Sequence, residues 1–202
     1  MTDLEQTEFV VRTIAETAIE NEKYFGDLDS VVGDGDFGYS LARGFEKLLE
    51  GWDGLDRTDA GTFLKRSGMV IASRIGGTSG PLWGTAFLRA GSAAGSGVVA
   101  MLQAAIEGIK ARGQSDVGDK TLLDALVPFT LALSASLEAG SSGGEALAAA
   151  TAAARKAADA TAGMVAKRGR AAYTGERSRG SVDAGATAVA VIAERISETW
   201  QK

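Results

Sequence analysis

The sequence predicts an all-α fold: a single domain, residues 1–202, of about eight antiparallel helices in a bundle or barrel. Most of the chain falls into segments whose apolar residues recur at the three- and four-residue spacing of an amphipathic helix. Glycine-rich breaks separate these segments, and the chain has 27 Gly but only 2 Pro. Strand-like alternation is scarce, and the mostly short connections favour antiparallel neighbours.

The first helix is expected at about residues 3–24, where Val10, Ile14 and Ala18 share one face and Thr2 or Asp3 caps the start. A loop at residues 26–40 is expected to follow. The remaining helices are expected at about 41–49, 59–74, 85–94, 98–111, 122–138, 145–166 and 184–200. The alanine-rich part of the penultimate helix suits close helix packing better than a linker.

Composition excludes several kinds of chemistry. The chain has no histidine and no cysteine, which excludes imidazole and thiolate metal ligands, Ser-His dyads and a phosphohistidine on this chain. A net charge of −5 makes nucleic acid a poor candidate partner. The acidic amino terminus does not resemble an export signal, and no run approaches the roughly 18 apolar residues of a membrane span. We therefore expect a soluble cytoplasmic protein with no membrane partner.

The strongest local signal is an acidic glycine loop at residues 28–38, which reads Leu-Asp-Ser-Val-Val-Gly-Asp-Gly-Asp-Phe-Gly. Its carboxylates repel one another unless a cation offsets the repulsion. Mg²⁺ prefers hard oxygen ligands and commonly joins one or two carboxylates to substrate phosphates. The glycines allow Asp29, Asp34 and Asp36 to converge. Because two divalent ions would exceed the charge of three carboxylates, the loop favours a nucleotide as the further ligand.

The same residues allow two other interpretations of this loop. A calcium EF-hand requires Glu at its twelfth position, where counting from Asp29 this chain has Ser40. The EF-hand is therefore excluded. A solvated turn, in which Asp and Gly supply turn geometry and one Asp caps the next helix, remains the structural alternative.

A second glycine-rich loop, at residues 76–84, runs into a helix and carries adjacent hydroxyls at Thr78 and Ser79. Backbone N–H groups at a helix amino terminus bind anions readily. The loop lacks the lysine of a P-loop and follows no strand, so a plain turn between helices is the alternative. The Gly-Asp-Lys-Thr run at 118–121 is expected to be mainly structural, with its Asp or its Thr capping the next helix.

The long connection between the last two helices carries Arg170, Arg177 and Arg179. A connection of this length is often functional, and these guanidinium groups can hold phosphate oxygens. Asp183, at its end, is a candidate cap for the last helix. A solvated basic loop is the alternative.

Taken together and in this order, four motifs resemble those of the nucleotide-binding L subunit of dihydroxyacetone kinases. They are the acidic loop at 28–38, Gly-Gly-Thr-Ser-Gly-Pro-Leu-Trp-Gly at 76–84, Gly-Asp-Lys-Thr at 118–121, and Gly-Arg-Ala at 169–171 with Asp-x-Gly-Ala-Thr at 183–187. The resemblance covers nearly the whole chain. It implies an eight-helix antiparallel barrel that binds ADP or ATP through two magnesium ions.

The resemblance also assigns site residues by position. Asp29, Asp34 and Asp36 would be the magnesium ligands. The residues that would line the nucleotide are Phe37, Gly38, Tyr39, Ser40, Thr78, Ser79, Gly118, Arg170, Asp183, Ala184 and Gly185, with the two hydroxyls of the second loop nearest the phosphates. The resemblance assigns no general base to this chain, so its catalytic residue is unknown.

In this family a separate K-type subunit holds the ketose covalently on its own histidine, which agrees with the absence of histidine here. The phosphoryl donor is either exchangeable ATP or a bound ADP that a phosphotransferase-system protein recharges. We therefore expect phosphoryl transfer from the nucleotide to a small ketose held by a partner subunit.

Three positions, in two motifs, depart from the family pattern. Family members usually read Gly-Asp-Gly-Asp-His-Gly and Gly-His-x-Asp-Pro-Gly-Ala, whereas this chain has Phe37 in the first motif and Ser181 and Ala184 in the second. Phenylalanine cannot form the hydrogen bonds of an imidazole. A four-carbon tetrulose is therefore an alternative substrate. A nucleotide-binding regulatory protein without turnover and a helical interaction module without a site are the other hypotheses.

Overall fold

A computed structural model describes residues 2–200 and confirms the all-α class. These residues form nine α-helices, three 3-10 helices and no strand. The α-helices are α1 (Asp3–Glu20), α2 (Glu22–Ser30), α3 (Phe37–Glu50), α4 (Ala60–Arg74), α5 (Ser79–Ser92), α6 (Val98–Gly113), α7 (Leu123–Glu138), α8 (Gly143–Ala160) and α9 (Ala184–Thr199). The 3-10 helices are Trp52–Gly54, Thr161–Gly163 and Arg170–Ser178. Over residues 2–200, the helices are all too short or too polar to span a bilayer.

Helix α2 is the main difference from the expected pattern, because the sequence predicted one helix and then a loop over 26–40. The first helix instead ends at Asn21, whose side-chain amide donates to the carbonyl of Thr17 at 2.8 Å. Asparagine competes in this way with backbone hydrogen bonding and ends the helix. The chain then re-enters a helix at Glu22, and the loop shortens to residues 31–36.

The chain divides into two compact units. The first comprises Met1–Glu22 and Gly38–Gln114, and the second comprises Lys23–Phe37 and Ser115–Lys202. A single domain over residues 1–202 stays a prediction.

In the first unit, α4 packs against α5, and α5 packs against α6. The predicted cap at Thr2 is confirmed, since its hydroxyl accepts the amide of Glu5 at 3.3 Å. Aromatic rings fill the core, with the ring of Phe45 edge-on to Trp83 at a centroid distance of 6.0 Å.

In the second unit, α8 packs against both α7 and α9. One alanine stripe of α8 has no solvent exposure, and its members are Ala146, Ala150, Ala154 and Ala158. Four-residue spacing places these methyl groups on one face, which lets neighbouring helices approach closely. At the side of this face, the guanidinium of Arg155 forms two hydrogen bonds of 2.7 and 2.8 Å with Glu194 of α9. The alanine-rich segment is thus a packed helix, as predicted.

Candidate functional site

Asp29 anchors both ends of the loop between α2 and α3 in the second unit. Its carbonyl accepts the amides of Val32 at 3.2 Å and Gly33 at 2.6 Å, which closes the end of α2. Its carboxylate accepts the amide of Phe37, the first residue of α3, at 3.3 Å. The loop therefore leaves one helix and enters the next around a single aspartate.

Two glycines make this tight path possible. A Cβ at Gly33 would collide with the carboxylate of Asp29 and would lie 2.9 Å from its carbonyl oxygen. Gly35 has a φ of +77°, in the left-handed region that side chains disfavour. The space that a side chain would fill at Gly33 is taken by the carboxylate itself.

The loop brings the three predicted ligands together. One carboxylate oxygen from each of Asp29, Asp34 and Asp36, hereafter the aspartate trio, lies within 4.8 Å of the others. Asp29 is partly buried, whereas the other two are exposed. Three hard oxygen donors at this spacing fit a cation such as Mg²⁺, and the exposed side leaves room for a further ligand. That the trio binds metal stays a prediction.

The guanidinium of Arg170 contacts the trio. Its guanidinium Nη1 contacts the carboxylate of Asp34 and lies 3.2 Å from that of Asp36. All three side chains are about half exposed, so solvent screens these pairs. Against three carboxylates one guanidinium leaves a surplus of two negative charges. Of the arginines predicted to hold phosphate, Arg179 instead pairs with Glu176 at 3.2 Å.

Lys120 lies deep in the second unit, where its residue surface is only 2% exposed. Its ammonium donates to the carbonyls of Met164 at 3.3 Å and Ser181 at 2.6 Å, and also to that of Ser178. Burial lowers the pKa of Lys120, and the charge of Asp183 opposes that effect. The sequence had indicated a mainly structural role for this segment and had not singled out this lysine.

Asp124 holds the turn that carries Lys120. Its two carboxylate oxygens accept the amides of Gly118 at 2.6 Å and Thr121 at 2.7 Å. The hydroxyl of Thr121 accepts the amide of Leu123 at 3.2 Å, but the residue at the N-cap position of α7 is Leu122, so neither the predicted Asp119 nor Thr121 occupies that position. The nearby Asp119 instead pairs with two cations, Lys167 at 3.4 Å and Arg168 at 3.5 Å.

Asp183 caps α9, as predicted, because its carboxylate accepts the amide of Ala186 at 2.7 Å. Burial raises the pKa of Asp183 to about 7, with a smaller increase from the charge of Asp124. The amide of Ala186 and the charge of Lys120 act in the opposite direction. A Cβ at Gly185 would lie 3.4 Å from Cβ of Leu122, so the predicted 183–185 segment lies beside the start of α7.

The remaining predicted residues belong to the first unit. A Cβ at Gly76 would lie 3.4 Å from the hydroxyl of Ser40, so the second glycine-rich loop lies beside α3. Thr78 occupies the position before α5 and is exposed, and no side chain among the described residues caps this helix start. Tyr39 is 58% exposed. The first-turn amides of α5 are therefore available to an anion.

The chain is similar to known proteins over most of its length. The family model described as the DAK2 domain matches residues 31–198. The chain is 40% identical over 174 residues to the PEP-dependent dihydroxyacetone kinase, ADP-binding subunit DhaL, of Escherichia coli (strain K12), covering 83% of each. It is 37% identical over 188 residues to the L-erythrulose kinase of Pectobacterium atrosepticum, covering 89% of this chain and 32% of that protein.

Solved structures agree with these sequence matches. The native crystal structure of the dihydroxyacetone kinase of C. freundii superposes with a TM-score of 0.79 at 27% identity, covering 96% of this chain and 34% of that one. The same kinase in complex with AMP-PNP and Mg²⁺ gives a TM-score of 0.77. This chain spans about a third of the length of the C. freundii kinase and of the erythrulose kinase.

Proposed function

The chain belongs to the DAK2 domain family, and from this premise we propose that it is the magnesium-dependent, nucleotide-binding subunit of a dihydroxyacetone-type kinase. The family membership confirms the resemblance that four sequence motifs predicted. In this proposal the chain is a phosphotransferase subunit that passes phosphate from ATP, or from recharged ADP, to a small ketose held by a separate K-type subunit.

The observation that carries the proposal is the convergence of the aspartate trio on an exposed loop, with a surplus of negative charge beside Arg170. An arrangement with this surplus is best stabilised by added cations. The C. freundii kinase, which shares the fold, has been crystallised with AMP-PNP and Mg²⁺. We propose two magnesium ions here, held by Asp29, Asp34 and Asp36.

The chain's own residues bind and orient the phosphates in this mechanism. Bound magnesium would supply positive charge that stabilises the phosphoryl oxygens during transfer. Arg170, freed from the carboxylates that it contacts, would donate hydrogen bonds to phosphate oxygens. Thr78 and Ser79 would donate to phosphate from the uncapped start of α5. The other residues proposed to line the nucleotide are Phe37, Gly38, Tyr39, Ser40, Gly118, Asp183, Ala184 and Gly185.

The acceptor side of the reaction belongs to a partner in this proposal. The chain has no histidine with which to hold a ketose covalently. The E. coli relative is named an ADP-binding subunit of a PEP-dependent kinase, which supports a partner subunit. A Lactococcus lactis relative is named the ADP-binding subunit of a PTS-dependent kinase, which supports a phosphotransferase-system donor. We place the reaction in the cytoplasm, where ATP and ADP are supplied.

A tetrulose is a second candidate for the acceptor. The chain is 37% identical to an L-erythrulose kinase, over 89% of its own length. Phe37 stands where the family usually has histidine, which changes the polarity beside the trio. Rates of phosphorylation measured with the partner subunit, for dihydroxyacetone and for both erythrulose enantiomers, decide whether the acceptor is a three-carbon or a four-carbon ketose.

Calorimetry tests the nucleotide site directly. The wild-type chain should bind ADP in the presence of Mg²⁺ and lose that binding in excess EDTA. Asp36→Asn, which keeps the shape and removes one charge, should weaken binding, whereas Asp53→Asn in the first unit should not. Binding that is unchanged by EDTA and by Asp36→Asn would contradict the proposed metal site.

Reconstitution tests the reaction. Addition of a K-type subunit, ketose and ATP, or ADP with the phosphotransferase donor chain, should give phosphorylated ketose. Tight nucleotide binding without turnover under both conditions would favour the regulatory alternative instead.

A further inference from the structure

Lys120 has two properties that a surface lysine lacks. It is almost fully buried, and its backbone has a φ of 61°, in the left-handed region that residues other than glycine seldom adopt. Burying a cation costs free energy unless its donors are all paired. Here three carbonyl oxygens accept from the ammonium, so the local structure supplies three acceptors for three N–H donors.

The three acceptors lie at the two ends of one segment. Met164 begins it, and Ser178 and Ser181 end it. The Ser178 hydroxyl also accepts the amide of Ala166 at 2.9 Å. The ammonium of Lys120 therefore closes the base of the segment 164–181, hereafter the arginine segment.

The arginine segment carries Arg170 to the aspartate trio. Between its closed ends the segment is mainly exposed, and Gly169 and Gly175 both have positive φ. Near the closed base, the amide of Lys167 also donates to the carbonyl of Asp119 at 3.1 Å and the amide of Gly180 donates to the carbonyl of Ala162 at 2.8 Å. The side chains of Lys167 and Arg168, both at least half exposed, pair with Asp119 as well. Exposed ion pairs contribute little to holding a segment. The closed base is thus the main constraint on where Arg170 can reach.

We propose that Lys120 is a positioning residue for Arg170: by closing the base of the arginine segment, it sets the guanidinium where phosphate oxygens are bound. The effect of Lys120 on phosphate binding rests on the proposed nucleotide function, whereas its closure of the arginine segment does not. Lys120 itself contacts no member of the trio in this role, and it acts through the backbone that it holds.

Hydrogen exchange tests the structural part without any ligand. In Lys120→Met, which keeps the length of the side chain and removes its donors, amides of the arginine segment should exchange about tenfold faster or more, because local opening costs less free energy. Lys156→Met, a surface variant on α8 in the same unit, is the matched control and should leave this exchange unchanged. Unchanged exchange in folded Lys120→Met would overturn the proposal.

A double-mutant cycle tests the functional part. Lys120→Met and Arg170→Ala should each weaken Mg²⁺-dependent ADP binding by about tenfold, which is the size of one lost charge-assisted contact. If Lys120 acts through Arg170, Lys120→Met should change the affinity less than about twofold in the Arg170→Ala background. Additive losses would mean that Lys120 has a general structural role only, and the positioning proposal would be wrong.

A second variant covers the case in which Lys120→Met does not fold. Ser178→Ala keeps the lysine and removes the hydroxyl that bonds the amide of Ala166 within the same base. It should accelerate exchange of that amide and weaken ADP binding through Arg170, as judged by the same cycle. Wild-type exchange and affinity in Ser178→Ala would overturn the proposal.

The two proposals fail in different ways. If the wild-type chain binds no ADP, the proposed function is wrong, whereas the exchange experiment still decides whether Lys120 closes the segment. If the wild type binds ADP and Lys120→Met changes neither exchange nor affinity, the positioning role alone is wrong.

Discussion

The second unit contains two groups of charged side chains that differ in their exposure and in how far the chain pairs them. The aspartate trio is largely exposed, and over residues 2–200 its contact with a cation is through a single half-exposed guanidinium. The inner cluster, defined as Lys120, Asp124 and Asp183, is buried or partly buried. The backbone satisfies that cluster with hydrogen bonds to all three side chains.

The difference indicates different roles. The inner cluster is satisfied by the chain itself, so its members stabilise the turn at 118–121, the arginine segment and the start of α9. The trio retains net negative charge that Arg170 does not balance and that no other cation among the described residues is seen to contact, so its stability improves when a cation binds. Ligand-dependent properties should therefore respond to changes in the trio, and ligand-free stability should respond to changes in the inner cluster.

The largest expected effect comes from the trio. Asp34→Ala should weaken Mg²⁺-dependent ADP binding by about a thousandfold, because loss of one carboxylate ligand removes several kcal/mol of metal binding. The rise in melting temperature on addition of Mg²⁺ and ADP should disappear with it. Thermal unfolding with and without ligand measures both.

The same variant should retain its ligand-free stability. Removal of one of three repelling carboxylates costs only an exposed ion pair with Arg170, which contributes about 0–1 kcal/mol. A large loss of ligand-free stability in Asp34→Ala would show that the trio is a structural turn, as the alternative interpretation of the loop holds.

The next effect lies in the inner cluster and has the opposite pattern. Asp124→Ala should lower the free energy of unfolding by about 3 kcal/mol, because it leaves the amides of Gly118 and Thr121 without acceptors. Asp159→Ala, at an exposed position on α8, is the control and should change it by less than about 0.5 kcal/mol. Urea denaturation without ligand measures both variants. If Asp124→Ala lowers the free energy of unfolding no more than Asp159→Ala does, the contrast between the trio and the inner cluster is contradicted.

The trio and the inner cluster also differ in how far the sequence predicted them. Three aspartates and interleaved glycines within eight residues are a local signal, because electrostatic repulsion and turn geometry depend on neighbours along the chain. The helix pattern was predicted for the same reason, including the alanine stripe of α8. The break at Asn21 was missed, since the competing side-chain hydrogen bond interrupts an otherwise continuous apolar pattern.

The role of Lys120 could not be predicted in this way. Its acceptors lie 44 to 61 residues further along the chain, and backbone carbonyls carry no sequence signal. Asp124 offered a weak signal, because an aspartate inside the apolar run that begins α7 requires local partners when buried. Long-range hydrogen bonds to the main chain therefore mark the limit of what the sequence predicts here.

A smaller effect should appear in the pH dependence of stability. The pKa of Asp183 is raised to about 7 by burial, with Asp124 raising it and Lys120 lowering it. Its contribution is therefore fully present below the unfolded pKa near 4 and is lost as the pH rises through 7, at a slope of at most about 1.4 kcal/mol per pH unit. Asp183→Asn keeps a cap acceptor and should remove this slope. Urea denaturation between pH 4 and 8.5 measures it.

Asp59 provides a matched comparison, because it also caps a helix but is exposed. Hydrogen bonds from the amide and hydroxyl of Thr62 lower the pKa of Asp59. Its contribution is present above the unfolded pKa and is lost as the pH falls through the folded value, so Asp59→Asn should alter stability in the opposite direction with pH. Parallel pH profiles for the two variants would contradict the assignment of Asp183 to the inner cluster.

The smallest effect is expected at Phe37, which lies beside the trio, is partly buried and packs against a core residue. Its ring lies 6.2 Å from that of the fully buried Phe25, and its amide donates to Asp29. Phe37→His, which restores the usual family residue, should lower the free energy of unfolding by about 1 kcal/mol through loss of this aromatic contact. The backbone bond to Asp29 does not depend on the side chain, so affinity for Mg²⁺ alone should change less than about twofold. If the histidine variant instead gains at least about tenfold in ADP affinity, as one added hydrogen bond would give, the residue at position 37 sets nucleotide affinity rather than the packing of Phe37 on Phe25.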